Sequence, residues 1–344
     1  MDNQVIRLNP AFDRDDLCAS AFGEVAEGTV TAMEGWRSTA PVDVSAYYGL
    51  GYCLAARKPL QSIAFYDGDH RYLCGVGTHS ISGIAEGAWI NHISVTVVQG
   101  FIRRPQGAVY ARFLTYDGPH DPMKDTAITA YVTEEAYNAA AVASGPLHGK
   151  KIVCLGDSLT EGDYGIKPCV ANVHYRNYPF FLSRLTGATT VTYGRCGATS
   201  ASYLQHLYKQ GFVDVTDADG VILMLGSNLG LKDEGLANAY RELVTLIRGD
   251  MKAGASLFLV TPPHATENPE KSNYGYNGNV LTAVAFVRAY AAEQGLPLVD
   301  AYADSPIQTE NENVYQAYDG LHMCEPGYEA FARFMADAVT ERLR

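Results

Sequence analysis

A serine, an aspartate and a histidine stand in this chain at positions from which they could form a nucleophilic site. Ser158 lies just behind the apolar run 152–155, so a buried strand would end where the serine begins a helix. A serine hydroxyl is a poor nucleophile at neutral pH and needs a base beside it. Histidine suits because its pKa lies near neutrality, and Asp319, three residues before His322, can orient that imidazole. These side chains predict a hydroxyl nucleophile activated by a general base.

Two loops behind other apolar runs could supply the N–H donors that a developing oxyanion needs. Gly197 follows the run 189–193 and can present its backbone N–H, while the side-chain amide of Asn228 follows the run 221–225. The backbone N–H of Ser158 is the third candidate donor. Losing one such donor typically lowers the rate by about 10²–10³-fold. Because the carboxyl ends of parallel strands meet at one edge of a sheet, we expect these donors to converge there.

The second half of the chain alternates short apolar runs with amphipathic stretches. The predicted strands are 152–155, 189–193, 221–225, 256–260 and 296–299. The predicted helices are 234–251, 280–293 and 328–343. Strands that alternate with helices in this way predict a parallel, doubly wound sheet in a three-layer domain over residues 150–344.

The first half has short β-like runs separated by glycine-rich turns. These runs are 62–66, 71–74, 93–98 and 109–113, and Asp67-Gly68 between the first two predicts a hairpin. The pattern predicts an antiparallel, jelly-roll-like β-sandwich over residues 31–133. Residues 1–30 are expected to form an N-terminal arm, an edge strand or a subunit contact, and residues 134–149 a linker helix. The aromatic residues of this half are expected in the sandwich core more than on a carbohydrate platform; they are Trp36, Tyr47, Tyr48, Phe65, Tyr66 and Trp89.

Composition sets limits on the partners and the compartment. The chain has 344 residues, of which 47% are hydrophobic, which is enough for two folded domains. A formal net charge of −12 argues against nucleic acid or an anionic membrane as partner. The seven cysteines are odd in number and lack paired metal spacing, which indicates reduced thiols and no metal site.

No apolar run approaches the ~18 residues of a membrane span, and the first residues lack a basic, apolar leader. We therefore expect a cytoplasmic or virion-associated protein, or a secreted one whose leader has been removed.

Four short blocks occur in order along the second half: GDSLTEG (156–162), GRCGAT (194–199), GSN (226–228) and DGLH (319–322). They resemble the blocks of the SGNH (GDSL-type) hydrolase and esterase family, and the resemblance covers residues 150–344. It implies a flavodoxin-like three-layer α/β/α fold and hydrolysis of carboxylic esters without a cofactor.

The same resemblance implies a role for five residues: Ser158 as nucleophile, His322 as base, Asp319 as the group that orients it, and Gly197 and Asn228 as oxyanion-hole donors. The chain departs from the family at two places. Leu229 stands where an aspartate usually ends the third block, and Thr192-Tyr193 stands where an asparagine usually opens the second. Neither departure removes a catalytic group, so both bear on the substrate and on local rigidity.

The predicted activity is removal of acyl groups, most often acetyl, from a carbohydrate polymer. The segment around Phe65-Tyr66-Asp67 looks like the small sandwich modules attached to SGNH enzymes that act on polysaccharides. Such modules accompany bacterial acetyl esterases and phage tail proteins, and a tail protein would favour a homotrimer. The expected partner is an O-acetylated carbohydrate, with Asp157 and His264 as candidate substrate contacts.

Two alternatives stay open at this point. One is a lipase, lysophospholipase or thioesterase of the same family, which would need an apolar acyl channel. The other is a non-catalytic glycan-binding or virion structural protein, to which Leu229 points.

Overall fold

The structure is a computed structural model that describes residues 4–18, 28–56, 60–77, 96–118, 122–165 and 174–344. The chain divides into two compact units, Met1–His148 and Gly149–Arg344. None of the described helices is long and apolar enough to cross a membrane.

The first unit is built from antiparallel strands. Their bounds are β1 Val5–Leu8, β2 Leu17–Cys18, β3 Val30–Thr31, β4 Trp36–Ser38, β5 Val42–Asp43, β6 Gly49–Ala56, β7 Gln61–Tyr66, β8 Tyr72–Gly77, β9 Thr96–Arg103, β10 Tyr110–Tyr116 and β11 Ala127–Tyr131. One sheet has the order β1-β11-β6-β9 and another the order β4-β10-β7-β8, with β5 also paired to β10. Strands β2 and β3 pair with each other.

The two larger sheets of this unit share one apolar core. Side chains from both sheets are buried in it, among them Leu50, Leu54, Ile63, Phe65, Phe113 and Ile128. Two antiparallel sheets that face each other across such a core form a β-sandwich, so the predicted fold class of the first half is confirmed. Trp36 is also fully buried, whereas Trp89 lies outside the described residues.

The predicted hairpin is present between β7 and β8, which pair antiparallel. The Asp67 carboxylate closes its turn by accepting the backbone N–H groups of Asp69 and Arg71, at 2.9 Å each. His70 takes the positive φ, 60°, that this tight turn requires. Of the predicted strand 93–98, residues 93–95 lie outside the described residues.

The ends of the first unit take part in the same sandwich. Strand β1 pairs with β11 at the edge of its sheet, and residues 1–3 and 19–27 lie outside the described residues. Helix α1, Glu134–Ala143, begins at Thr133, whose hydroxyl accepts the N–H of Ala136. Its Tyr137 packs edge-on against Tyr48, so the stretch predicted as a linker helix is packed into the first unit.

The second unit is a parallel sheet with helices. Its strands are β12 Lys151–Gly156, β13 Thr189–Gly194, β14 Gly220–Met224, β15 Ser256–Val260 and β16 Leu298–Val299. All neighbours are parallel in the order β13-β12-β14-β15-β16, which is the flavodoxin-like order. Its α-helices are α2 Ser158–Glu161, α3 Tyr178–Thr186, α4 Ser200–Tyr203, α5 Glu234–Asp250, α6 Tyr276–Gln294, α7 Ala301–Asp304, α8 Glu312–Tyr315 and α9 Glu325–Leu343. The predicted three-layer fold is confirmed.

Elements that are buried on nearly all sides were not predicted from the sequence. Seven of the nine residues of α3 are buried, so its sequence YPFFLSRLT shows no polar face to mark a helical period. Strand β6 reads GLGYCLAA, in which glycine and alanine weaken the β signal although the strand is almost wholly buried. In both cases tertiary packing decides the structure where local propensity is weak.

Candidate active site

The turn behind β12 presents Ser158 at the first position of the one-turn helix α2. Asp157 caps this helix by accepting the N–H of Leu159 at 3.1 Å. Because the first N–H groups of a helix have no partner inside it, the backbone N–H of Ser158 is left for another acceptor. The serine itself is only 3% exposed, so its hydroxyl is held at the floor of a depression and away from bulk water.

The structure brings Ser158, His322 and Asp319 into one hydrogen-bonded chain. The His322 Nε2 atom lies 2.8 Å from the Ser158 Oγ atom, and His322 Nδ1 lies 2.6 Å from Asp319 Oδ2. The other oxygen of Asp319 accepts the backbone N–H groups of Leu321 and His322, at 3.0 and 3.1 Å. The carboxylate is thereby fixed on both sides, and a proton can pass from the serine hydroxyl to the imidazole.

Burial and charge shift the pKa values of His322 and Asp319 in opposite directions. Burial lowers the pKa of His322, but the hydrogen bond that its ring donates to Asp319 and the charges of Asp163 and Asp319 raise this pKa above the ordinary value of histidine. Burial raises the pKa of Asp319, but its hydrogen bond to His322 and the charge of that ring bring it below the ordinary value. The pair therefore favours an ionised Asp319 and an imidazole that holds a proton readily.

The two predicted oxyanion donors lie at the same edge as Ser158. Gly197 has φ 71°, a left-handed conformation that suits glycine. Asn228 Nδ2 donates to the carbonyl oxygen of Ala198 at 3.1 Å, and since an amide has two hydrogens, one remains for a ligand. No acceptor among the described residues takes the backbone N–H of Ser158 or of Gly197.

A cavity of about 160 Å³ opens onto these groups. Besides the five residues above it is lined by Asp163, Gly165, Cys196, Asn273, Tyr276 and Leu321. Asn273 lies in the loop before α6, and Tyr276 is the first residue of that helix. Most of the described lining side chains carry a polar group, and Leu321 is the single aliphatic side chain among them, so the cavity suits a small ligand.

The buried carboxylates of Asp157 and Glu161 connect the loop of Ser158 to the neighbouring loops of the site. Ser227 Oγ donates to Asp157 Oδ2, and the backbone N–H of Cys196 donates to Glu161 Oε2, each at 2.5 Å. Burial raises the pKa of Asp157, which is only 1% exposed. Asp157, predicted to contact substrate, is not among the residues that line the cavity; both of its oxygens hold the site together.

His264 and Leu229 also take places that the sequence did not indicate. The His264 ring stacks on Tyr302 with centroids 3.8 Å apart, and burial lowers its pKa. It is not among the lining residues of the cavity, although it was predicted as a substrate contact. Leu229 has φ 60° and is 66% exposed, so it occupies a left-handed position that few leucines adopt.

The expectation of reduced thiols is wrong for Cys196, which is disulfide-bonded. Cysteine spacing could not show this, because a disulfide depends on the spatial approach of two Cα atoms and not on their distance in sequence. Cys18, Cys53, Cys74, Cys154 and Cys324 are not disulfide-bonded, and Cys169 lies outside the described residues. Among the described residues no cluster of histidine, cysteine or acidic side chains could hold a metal ion.

The GDSL-like Lipase/Acylhydrolase family matches residues 154–330, just over half of the 344 residues. The chain belongs to this family. It is therefore a hydrolase of the kind that acts on esters, and the expected family is confirmed. No curated protein matches the chain by sequence.

Several solved structures of GDSL-type and related esterases are similar to the chain over its second half. The lipase/acylhydrolase from Enterococcus faecalis is 22% identical, with TM-score 0.43, covering 57% of this chain and 97% of its own. A carbohydrate acetylesterase family member from Sinorhizobium meliloti is 20% identical, with TM-score 0.43, covering 56% and 99%. The M. smegmatis aryl esterase is 18% identical, with TM-score 0.42, covering 56% and 100%.

Two acidic residues at the end of the first block, Glu161 within it and Asp163 directly after it, were not predicted from the sequence. Glu161 holds the loop of Gly197 through the N–H of Cys196. Asp163 lines the cavity, and its Oδ2 atom lies 3.6 Å from His322 Nε2. The only sequence signal was their nearness to Ser158 within one short turn, and that nearness does not reveal which way a carboxylate faces.

Proposed function

We propose that the protein is a serine esterase that removes O-acyl groups, chiefly acetyl, from a carbohydrate. The observation that carries the proposal is the hydrogen-bonded chain from Asp319 through His322 to Ser158, which ends in a cavity lined by Gly197 and Asn228. Nucleophile, base, orienting carboxylate and oxyanion donors are the parts that acyl transfer requires.

In the first half of the reaction, Ser158 Oγ attacks the ester carbonyl carbon while His322 Nε2 takes the hydroxyl proton. The oxyanion accepts hydrogen bonds from the N–H groups of Ser158 and Gly197 and from the Asn228 amide. When the C–O bond to the sugar breaks, the leaving oxygen takes the proton back from His322. The products are a free sugar hydroxyl and an acyl group esterified to Ser158.

In the second half, water replaces the sugar. His322 removes a proton from the water molecule as its oxygen attacks the acyl carbon, and the tetrahedral adduct occupies the same oxyanion hole. The bond from this carbon to Ser158 Oγ then breaks, Oγ takes the proton back from His322, and acetate leaves. Asp319 stabilises the imidazolium that forms in each half. Both halves use the same groups, so one site suffices.

The small volume of the cavity supports a short acyl group. Its volume of about 160 Å³ lies below the ~300–1,000 Å³ of pockets that hold drug-sized ligands. Its lining offers Leu321 and the Tyr276 ring as apolar surface, which is little for a long acyl chain. Asn273 and Tyr276 in the same lining supply amide and hydroxyl groups that can bind sugar hydroxyls.

The substitution Ser158→Ala tests the proposal. We expect it to abolish acetate release from O-acetylated glycans and p-nitrophenol release from p-nitrophenyl acetate. The matched control is Ser45→Ala, an exposed serine of the first unit, which should keep wild-type rates. Equal turnover by the Ser158→Ala protein and wild type would overturn the enzyme proposal, and turnover of the chromogenic ester with no acetate from any glycan would overturn the carbohydrate substrate.

A further inference from the structure

A second carboxylate approaches the imidazole of His322 from the side on which the ester would react. Asp163 Oδ2 lies 3.6 Å from His322 Nε2, while Asp319 occupies the opposite nitrogen, Nδ1, at 2.6 Å. The Asp163 side chain is 4% exposed, and it lines the same cavity as Ser158. The ring is therefore flanked by acidic groups at both of its nitrogens.

The backbone around Asp163 fixes the direction of this carboxylate. Its Oδ1 atom accepts the N–H of Gly165 at 2.8 Å, and its carbonyl oxygen accepts the buried hydroxyl of Tyr328, also at 2.8 Å. The Oδ2 atom also lies 3.2 Å from Cys196 Sγ. With one oxygen anchored by the loop, the other is directed at the edge of the imidazole.

We propose that Asp163 is a positioning residue that stabilises the imidazolium form of His322 during acyl transfer, in addition to Asp319. The inference rests on the proposed function, since it assigns His322 as the base. The distance of 3.6 Å is too long for a direct hydrogen bond but short enough for charge attraction between two side chains that are only 12% and 4% exposed. As Nε2 takes the proton from Ser158, a positive charge forms beside the Asp163 carboxylate and is stabilised there.

All charged groups around the ring bear on its protonation. His322 is surrounded by Asp319, Asp163 and, farther away, Asp157, all of which favour the protonated ring. Asp163 itself is acted on by His322, Asp319 and His174, and its burial raises its pKa. The same attraction therefore has two consequences: it holds a proton on the resting histidine at low pH, and it lowers the barrier once the histidine acts as base.

These two consequences are linked in size. If the imidazolium is fully formed in the transition state, raising the pKa of His322 by one unit through Asp163 corresponds to a tenfold gain in the plateau value of kcat/KM. At a pH below the pKa of His322 in both wild type and variant, the gain in plateau rate and the smaller fraction of neutral histidine cancel. Removing the charge of Asp163 should then lower the plateau of kcat/KM, shift its acid limb to lower pH, and leave the rates at low pH unchanged.

The experiment is the pH profile of kcat/KM for p-nitrophenyl acetate in wild type and in the nearly isosteric Asp163→Asn variant, whose side-chain oxygen can still accept the Gly165 N–H. We expect the acid limb to move down by about one pH unit and the plateau to fall about tenfold, with the two profiles converging at low pH. The control is Asp304→Asn, which removes an exposed charge of the same unit and should leave the profile unchanged.

Two results would overturn the proposal. A profile for Asp163→Asn that is scaled down equally at every pH would show a merely structural role, and an unchanged profile would show no role at all. Thermal unfolding of both variants shows whether a loss of activity comes from misfolding. Asp163→Glu restores the charge without the original geometry, so recovery of the plateau rate in this variant would support a role for the charge. If Ser158→Ala retained activity, the proposed function itself would fail, which is a separate outcome.

Discussion

The protonation state of His322 governs when the proposed nucleophile can act. The ring must be neutral to take the hydroxyl proton, and its pKa is raised because the acidic groups around it outweigh its burial. Asp319 stays ionised because its own pKa is lowered by the same contact. The acidic surroundings of the base thus shift the useful pH range upward.

A pH profile of the activity checks whether the pKa of His322 is raised. Because His322 loses its proton only above a raised pKa, the acid limb of kcat/KM for p-nitrophenyl acetate should have its midpoint above about 6.5, the ordinary histidine value. Activity should fall as the pH drops through that midpoint. A midpoint below about 6 would contradict the raised pKa, and circular dichroism across the same range excludes unfolding as the cause.

The Asn228 amide offers a second test among single residues. Asn228→Ala removes one oxyanion donor and its hydrogen bond to Ala198, so kcat for p-nitrophenyl acetate should fall by about 10²–10³-fold with little change in KM. Asn238→Ala, at an exposed position on α5, is the matched control and should keep the wild-type kcat. A kcat within threefold of wild type for Asn228→Ala would exclude this amide from the oxyanion hole.

The individual site residues were largely accessible from sequence, but their neighbours were not. Ser158, Asp319 and His322 stand in recognisable blocks, and the structure places them within hydrogen-bonding distance. Asp163 stands in the same turn as Ser158, yet nothing in the sequence indicates that its carboxylate faces the histidine ring. That direction depends on the Gly165 and Tyr328 hydrogen bonds, which only the folded chain creates.

At the scale of secondary-structure elements, the site depends on how closely α2 approaches the end of β13. A Cβ atom at Gly194 would overlap the backbone of Glu161 in α2. The hydrogen bond from Cys196 to Glu161 holds the two segments in this contact. The strand end and the helix that carries Ser158 are therefore fixed relative to each other.

The substitution Gly194→Ala tests this contact. We expect it to push α2 away from β13, to destabilise the protein by about 1–3 kcal/mol, and to lower esterase activity because Ser158 moves with the helix. Gly249→Ala is the matched control: it lies in α5, a Cβ there meets no atom within 4 Å, and it should stabilise by about 0.5–1 kcal/mol. Urea unfolding measures both, and an unchanged midpoint for Gly194→Ala would contradict the packing argument.

Most elements of the second unit could be predicted because their apolar runs are distinct. The strand predicted at 256–260 is observed at Ser256–Val260, and the helix predicted at 234–251 is observed at Glu234–Asp250. The strand predicted at 296–299 shortens to Leu298–Val299, and α3 was missed because its burial is nearly complete. Prediction thus succeeded where one face of an element is polar or where a strand is almost wholly apolar.

At the scale of the whole molecule, the two units differ in architecture and each has buried apolar side chains of its own. The cavity volume is a property of several loops of the second unit together, since its lining comes from the segments behind β12, β13 and β14 and from those before α6 and α9. No single loop would reveal its size.

A series of esters with increasing acyl-chain length tests whether the cavity volume limits the substrate. Because the cavity is only about 160 Å³, kcat/KM for p-nitrophenyl esters should fall at least about tenfold from acetate to octanoate. The Ser158→Ala variant supplies the background rate for each ester. A rise from acetate to octanoate would instead favour the lipase alternative.

The sequence alone determined the kinds of layer in each half and predicted the chain positions of the proposed nucleophile, base and oxyanion donors, because strand-forming runs and the short polar blocks behind them are local features. The tertiary structure decided the rest: the second carboxylate at the histidine ring, the structural role of Asp157, the disulfide at Cys196 and the volume of the cavity. Each of these depends on distances between segments far apart in the chain, which hydrogen bonds and packing set only after folding.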